Sequence, residues 1–334
     1  MARNPYSYFS DPYSGFIYHE SLYGYRPGGF HPVSLGDTFR DGRYEIRRKL
    51  GFGQYSTVWL ARDHQAQRWV AIKIKAAEDS LEVPDADPEV RVVLDLERHY
   101  ASLPQEKPRY FARLLEVFRC HKLTLRPDTI LRASQQLLEA VASLHHMGIA
   151  HGDISYSNVA FTCKQAMESE EDLFHVLGTL ETIESSQYGH DFPPNLPRYM
   201  YDSAGWASWF EEVDEEICLL DWASYFPLHQ RPGDFWQPRS LRSPETFFAE
   251  SFDHRHDLWW AGCVIYALSY PKFCRYGGSD ELLVLEWEKQ LGPLPETLQA
   301  RWEDMLKDTL PGRRALRKPY HEAPITDSFE LRRQ

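Results

Sequence analysis

The chain has 334 residues, 43% hydrophobic and 14% aromatic, which supports a sizeable folded core and argues against wholesale disorder. Its 49 acidic and 37 basic side chains give a formal net charge of −12, a balance that argues against nucleic-acid binding and suits good solubility or a basic partner. The N-terminus has no signal-peptide core, and the most apolar run, residues 258–268, is too short to span a bilayer. A soluble protein is therefore expected, and its five cysteines, which show no ligand spacing, are expected to be reduced thiols.

The first part of the chain predicts an arm followed by a small antiparallel sheet. Residues 1–40 are rich in Tyr, Gly and Pro without clear periodicity. Three short strand-like segments joined by tight turns then follow, at residues 44–50, 57–62 and 68–75. A helix is expected to begin at Asp87-Pro88, where a capping residue precedes a first-turn proline. Residues 111–120 indicate another strand.

The second part of the chain is expected to be mainly helical. Residues 128–148 predict a long helix that Asp128 caps and Gly148 stops. Its sequence places one stripe on the helix at Leu131, Ser134, Leu138, Val141 and His145, with Ile130, Leu137 and Leu144 beside it. Residues 163–214 combine an acidic cluster with a proline-rich stretch and are interpreted as an insert, whereas residues 257–268 predict a buried helix.

Two stretches of the predicted sheet have the composition of an anion-binding site. In "LGFGQYSTV" (50–58), Gly51 and Gly53 would let backbone N–H groups approach an anion, although a plain hairpin turn has the same composition. In "VAIK" (70–73), Ala71 and Lys73 point to the same face of a strand. Ala71 would offer a flat apolar wall for a base, and Lys73 a cation for phosphate groups.

Two further stretches carry carboxylates at the spacing of a phosphoryl-transfer site. In "HGDISYSN" (151–158), Asp153 is placed to accept or orient the proton of an attacking hydroxyl, and Asn158 to hold a magnesium ion. A turn with a capping Asp is the purely structural alternative. "ICLLDWA" (217–223) is a buried apolar strand that ends in Asp221, a carboxylate suited to the magnesium that bridges phosphates.

The order of these stretches is that of protein kinases, since Ser243-Pro244-Glu245 and an Asp opening a buried helix come next. More closely, the chain resembles the serine/arginine-rich protein-specific kinases in their fungal-type form. The resembling stretches are "YRPGGFHPVSLGDTF" (25–39), "PPNLPRYMY" (193–201) and "LGPLPE" (291–296), and the resemblance covers roughly residues 22–305.

The resemblance implies an α+β, bilobal protein-kinase-like fold. Its parts would be an N-terminal extension at 1–40, an N-lobe of antiparallel sheet plus one helix at 41–122, and a mainly helical C-lobe at 123–334 with the insert at 163–214.

The resemblance also implies an activity: ATP- and Mg²⁺-dependent phosphorylation of Ser in Arg/Ser-rich proteins such as splicing factors. A monomer in the cytoplasm and nucleus is expected, without direct nucleic-acid or membrane binding. Glu89 is the implied partner of Lys73, with Glu97 as the alternative. The implied site residues are catalytic Asp153, Lys73 and Glu89; nucleotide-binding Gly51, Gly53, Ser56, Val58, Ala71 and Lys73; and metal-binding Asn158 and Asp221.

The chain departs from the kinase pattern at several positions. Gly152 stands where many kinases have Arg, and Ala223 where Gly is usual. Ser155 replaces a Lys that would contact the transferred phosphate, and losing one such donor costs on the order of 10²–10³ in rate. Only "KLTLRP" (122–127) separates the strand expected at 111–120 from the helix at Asp128, which is too short for the usual adenine-binding hinge. Compared with the family pattern, a shortened C-terminal part is also expected.

Two alternatives to an active protein kinase follow from these departures. A pseudokinase scaffold would bind basic Arg/Ser-rich partners without efficient turnover, and the short connection and Ser155 favour it. A small-molecule kinase of the aminoglycoside or choline type would also have an H-G-D-x-x-x-x-N loop, although those enzymes do not usually carry the later "SPE" and "DLWWAGC" stretches.

Overall fold

The structure is a computed structural model that describes the chain in nine ranges. These are residues 19–80, 87–102, 126–162, 169–188, 196–205, 216–230, 241–248, 253–269 and 280–309. The strand expected at 111–120 and most of the short connection that follows it lie outside these ranges.

The first lobe is an antiparallel sheet with one helix. The strands β1 (Thr38–Phe39), β2 (Tyr44–Phe52), β3 (Ser56–Asp63) and β4 (Arg68–Lys75) pair in chain order, and α1 (Pro88–Ser102) follows. The three segments predicted from their sequence pattern are therefore confirmed as neighbouring strands. One face of the sheet is covered by a small apolar cluster that contains Val33, Ile46, Trp59, Ala61, Val70 and Tyr201.

The second lobe is mainly helical, with short strand pairs. Along the chain its elements are α2 (Pro127–His146), β5 (Ile149–Ala150), β6 (Val159–Phe161), α3 (Glu170–Leu177), β7 (Thr182–Glu184), β8 (Tyr199–Tyr201), β9 (Ile217–Leu219), β10 (Phe226–Pro227), α4 (Glu245–Phe248), α5 (His256–Ser269), α6 (Asp280–Leu291) and α7 (Glu296–Thr309). The main core joins α1, α2 and α5 with the strand pair β6–β9. This α+β architecture confirms the predicted bilobal kinase-like fold. No helix in the described ranges is both long and apolar enough to cross a membrane.

Helix α2 corrects two details of the sequence interpretation. Its first residue is Pro127 and its N-cap is Arg126, so Asp128 lies in the first turn and is not the cap. Leu137, Val141 and Leu144 are buried, whereas Leu131 is 71% exposed and Leu138 is 46% exposed. The apolar positions beside the predicted stripe thus form most of the core contact, because α5 packs on that side of the helix.

The insert packs against the sheet of the first lobe. Tyr201 of β8 lies edge-on to Trp59 of β3, with ring centroids 5.8 Å apart, and Phe174 of α3 lies edge-on to Trp69 of β4 at 6.3 Å. Apolar packing by two separate elements therefore attaches the insert to the strands that carry the candidate nucleotide site.

The N-terminal arm completes this contact. Leu22 and Tyr25 of the arm are buried against Met200 of β8. Glu20 accepts hydrogen bonds from both Tyr25 and Lys49, and all three side chains are buried. Burial lowers the pKa of Lys49 well below its usual range. An apolar cluster and a buried polar group thus help to hold an arm that has no sequence periodicity.

Candidate active site

Lys73 is the centre of the charged groups between the sheet, α1 and β9. Its Nζ lies 2.6 Å from Glu89 Oε1 and 2.8 Å from Asp221 Oδ1. Burial alone would lower the pKa of Lys73, but the two carboxylates raise it, so the side chain is a cation at neutral pH. Lys73 shares a face of β4 with Ala71. Of the two glutamates that the sequence offered as its partner, Glu89 is the one that Lys73 contacts.

The loop that follows β5 is anchored from α5. The backbone N–H groups of His151 and Gly152 donate to the carboxylate of Asp257 at 2.8 and 3.0 Å. The His151 ring lies 4.6 Å from the Trp222 ring, and its Nε2 is 3.0 Å from the Leu220 carbonyl. Burial lowers the pKa of His151, which favours the neutral ring. The start of this loop is therefore held by one buried carboxylate, one ring contact and the Leu220 carbonyl.

Gly152 has a conformation that explains the missing arginine. Its φ is +80°, and a Cβ at this position would lie 2.0 Å from the Ser224 carbonyl oxygen. An L side chain is disfavoured by that φ and excluded by the backbone contact unless the loop moves. The close approach between the loop of Gly152 and the loop of Ser224 thus requires glycine at position 152.

Asp153 and Asn158 contact each other within this loop. The Asn158 side-chain amide donates to Asp153 Oδ2 and to the Asp153 carbonyl, each at 2.9 Å. Burial, the first cause, together with the nearby Asp221 and Asp257 charges, raises the pKa of Asp153 to about 7. A carboxylate with this pKa can accept a proton from a hydroxyl group at neutral pH.

Asp221 follows β9, contacts Lys73 and acts on Asp153 through its charge. Its φ is +62°, a left-handed conformation that is uncommon for a non-glycine residue and frequent at functional sites. Burial would raise its pKa, but Lys73 and the Ala223 backbone N–H lower it, so Asp221 is an anion. The structure therefore brings Lys73, Glu89, Asp153, Asn158 and Asp221 into one linked group, although they come from four separate stretches of sequence.

The glycine turn closes the site on the side of β2 and β3. Gly53 N–H donates to the Ser56 carbonyl at 2.8 Å, and Val58 pairs with Lys73 across β3 and β4. A Cβ at Gly51 would meet no protein atom within 4 Å. The protein's own packing therefore does not require Gly51, whereas a ligand that approaches the backbone closely would.

Three residues of the site carry roles that sequence reasoning missed. Asp257 was noted only as an Asp opening a helix, yet it accepts the loop N–H groups and also lies 3.0 Å from His145 Nε2. Lys75 and Asp87 join the charged group around Glu89, with Lys75 Nζ 2.7 Å from Asp87 Oδ2. The sequence could have indicated the role of Lys75, because Lys73 and Lys75 are two residues apart on a strand and therefore share a face.

The sequence is similar to those of several serine/threonine protein kinases. It is 36% identical over 163 residues to the serine/threonine-protein kinase spk-1 of Caenorhabditis briggsae, which is 41% of this chain and 14% of that protein. It is 26% identical over 319 residues to the serine/threonine-protein kinase SRPK of Physarum polycephalum, which is 83% of this chain and 73% of that protein. Over 80 residues it is 48% identical to the serine/threonine-protein kinase SKY1 of Saccharomyces cerevisiae, 20% of this chain and 11% of that protein.

No protein-family model matches the chain. The chain spans only 14% and 16% of the length of the two nematode spk-1 kinases, so the similarity to those proteins concerns a small part of each. The Physarum protein is matched over most of both chains. These similarities confirm the resemblance indicated by the motifs: the chain is similar to proteins named as serine/arginine-rich protein kinases and to fungal serine/threonine protein kinases.

Proposed function

We propose that the chain is a protein serine/threonine kinase that transfers phosphate from ATP to Ser in Arg/Ser-rich proteins. The observation that carries this proposal is the position of Lys73, 2.6 Å from Glu89 and 2.8 Å from Asp221, together with the Asp153–Asn158 pair, on which the Asp221 charge acts. A cation held between two carboxylates is aligned for an anionic ligand before the ligand arrives, which reduces the reorganisation needed for transfer.

Asp153 is the proposed base. The transferred phosphate needs an attacking hydroxyl whose proton can leave, and Asp153 has a pKa of about 7 that suits a general base at neutral pH. Asn158 holds the carboxylate through its amide N–H, so the acceptor oxygen is fixed. A Ser hydroxyl hydrogen-bonded to Asp153 would be directed at the terminal phosphate of ATP.

The residues present fit a magnesium ion. Mg²⁺ prefers oxygen ligands, and the site offers the Asp221 carboxylate and the Asn158 amide oxygen. Because Asn158 donates its N–H groups to Asp153, the carbonyl end of the same amide is directed away from that contact. Bound Mg²⁺ would neutralise negative charge on the phosphates. Lys73 would contact the phosphates, and the glycine turn, with open space at Gly51, would approach them through its backbone.

Acidic surface supports a basic substrate. The formal net charge is −12, and the part of α6 and α7 up to residue 304 carries seven acidic and two basic residues, none of the seven acidic ones fully buried. Such a surface attracts Arg-rich segments and speeds their capture. The relatives include a protein named SRSF protein kinase 3, in human, with 56% identity over 50 residues. We propose Arg/Ser-rich proteins such as splicing factors as substrates, and the cytoplasm and nucleus as the compartments where the chain meets them.

The test is phosphate transfer from radiolabelled ATP to a synthetic Arg-Ser repeat peptide. The wild-type chain is expected to label the peptide only when Mg²⁺ is present, and Asp153→Asn to lower kcat by about 10²–10⁴. A peptide with Glu in place of Arg serves as the substrate control and should be labelled poorly. Equal labelling by the wild type and Asp153→Asn would refute the assignment of the base.

The pseudokinase scaffold is a distinct outcome of the same experiment. A wild-type chain that binds the Arg-Ser peptide but labels it no faster than Asp153→Asn would be a binding protein and not an enzyme. Transfer to choline or an aminoglycoside, without transfer to the peptide, would identify a small-molecule kinase. Neither alternative is favoured by the similarities, which are to proteins named as protein kinases.

A further inference from the structure

A second lysine contacts the same glutamate as Lys73. Lys73 and Lys75 lie two residues apart on β4 and therefore share a face of the strand. Lys73 Nζ is 2.6 Å from Glu89 Oε1, and Lys75 Nζ is 2.9 Å from Glu89 Oε2. The two lysines thus hold the two oxygens of one carboxylate. The buried Glu89 Oε2 atom contacts Lys75 as an ion pair. The geometry of this contact is not that of a hydrogen bond.

Lys75 also fixes the residue that begins the helix. Its Nζ lies 2.7 Å from Asp87 Oδ2, while Asp87 Oδ1 accepts the backbone N–H of Glu89 at 2.9 Å. The Asp87 carboxylate therefore caps α1 with one oxygen and pairs with Lys75 through the other. Burial of Lys75 opposes its charge, but the contacts with Asp87 and Glu89 raise its pKa, so it is a cation.

These contacts matter because Glu89 is only the second residue of α1. The first turn of a helix lacks intrahelical partners for its N–H groups and is the part that frays. A glutamate in that turn is not held by the helix alone. The side chains of Lys75, Asp87 and Glu89 are 23%, 11% and 13% exposed, so their mutual contacts are partly shielded from water.

We propose that Lys75 is a positioning residue for the nucleotide site, which holds Glu89 and its cap Asp87 so that Glu89 can direct Lys73 toward the phosphates of ATP. The inference rests on the proposed kinase function and adds to it a residue outside the kinase motifs. Lys75 acts through Glu89 and need not touch the nucleotide. Its effect should therefore fall on the binding of phosphates and spare the binding of the adenine base and ribose.

The test compares binding of Mg²⁺·ATP with binding of adenosine, which has no phosphates, by isothermal titration calorimetry on the full chain. Lys75→Met is expected to weaken Mg²⁺·ATP binding about fivefold, the size of one partly screened charge contact, and to leave adenosine binding within about twofold. Lys75→Arg should restore Mg²⁺·ATP binding. Arg26→Met, which removes the exposed pair between the N-terminal arm and Glu78, is the control and should bind both ligands like the wild type.

Asp87→Asn is the second variant, because it keeps a capping oxygen and removes only the charge that pairs with Lys75. It should also weaken Mg²⁺·ATP selectively, and combined with Lys75→Met it should add little further loss. Unchanged Mg²⁺·ATP binding in Lys75→Met, or equal losses of Mg²⁺·ATP and adenosine, would overturn the inference. A wild type that binds Mg²⁺·ATP but labels no peptide refutes the proposed function, yet the binding comparison still decides the role of Lys75. A wild type that binds no nucleotide overturns both.

Discussion

Arg48 on β2 and Asp202 in the insert are 154 positions apart in the chain, yet Arg48 Nη1 donates to Asp202 Oδ1 at 2.7 Å. Arg48 Nη2 also donates to the Thr179 carbonyl at 3.1 Å, and the Arg48 side chain is fully buried. A buried guanidinium needs its partners, because removing one leaves an uncompensated charge. The insert is thus joined to the sheet of the first lobe by a contact that is costly to break.

We expect Asp202→Asn to lower the free energy of unfolding by about 3 kcal/mol, since a buried charge loses its counter-ion. Urea denaturation followed by circular dichroism measures the change. The matched control is Asp95→Asn, which removes the exposed pair with Arg98 and should cost less than about 1 kcal/mol. Equal effects of the two substitutions would show that the insert is not anchored by Arg48.

Gly152 and Gly36 allow a matched comparison of the cost of adding a side chain at a glycine with positive φ. Their φ angles are +80° and +85°, but a Cβ at Gly152 would lie 2.0 Å from the Ser224 carbonyl and one at Gly36 would meet nothing within 4 Å. Gly36→Ala should cost about 1 kcal/mol, the backbone strain alone. Gly152→Ala should cost more than about 2 kcal/mol and reduce kcat, because the loop that carries Asp153 must shift. Unfolding curves and peptide labelling measure both effects. The explanation for the missing arginine fails if Gly152→Ala is as mild as Gly36→Ala.

The raised pKa of Asp153 predicts the pH dependence. A general base works when deprotonated, so kcat/KM should rise as the pH increases through about 7 and level off above it. The folded protein also keeps a proton on Asp153 at pH values where the unfolded chain has released it. Stability should therefore fall as the pH rises from about 4, the usual Asp value, toward 7. Initial rates across this range measure the rise of kcat/KM with pH. The Asp153→Asn variant should not show this rise. A flat profile between pH 6 and 8 would contradict the assignment.

Glu89 and Glu97 lie two turns apart on α1, and the contact with Lys73 distinguishes them. Glu89→Gln should lower kcat/KM for ATP by about 10- to 100-fold, because Lys73 loses the charge that aligns it. Glu97→Gln should stay within about twofold of the wild type. Steady-state kinetics with varied ATP measures both variants. The reverse order of effects would mean that α1 is shifted by two turns relative to the observed contact.

The sequence was sufficient to predict the strands β2 to β4, since period-two alternation is a local signal. The local sequence pattern did not determine which face of α2 is buried. Two adjacent sets of apolar positions satisfied the helical period, and only the packing of α5 buries Leu137 and Leu144 while leaving Leu131 exposed. A helical period predicts that the helix has an apolar face. The element that packs against the helix decides which apolar positions are buried.

The burial of Arg48 and Lys49 could also not be predicted from the residues around them in the sequence. Lys and Arg are almost never fully buried unless paired, so two adjacent basic residues on a strand predict solvent exposure. Their partners lie far along the chain, in the N-terminal arm and the insert. Neither segment has a periodicity that indicates where it packs. Long-range charge pairing of this kind becomes visible only in the folded structure.

Single-turnover labelling of an Arg-Ser peptide, with Mg²⁺·ATP and the wild-type chain beside Lys73→Met and Asp153→Asn, tests the central claim most directly. If Lys73, Asp153 and their partners form a phosphoryl-transfer site, the wild type will label Ser and each variant will be slower by about 10²-fold or more while remaining folded. Identical labelling by all three proteins, or none by the wild type, would contradict it.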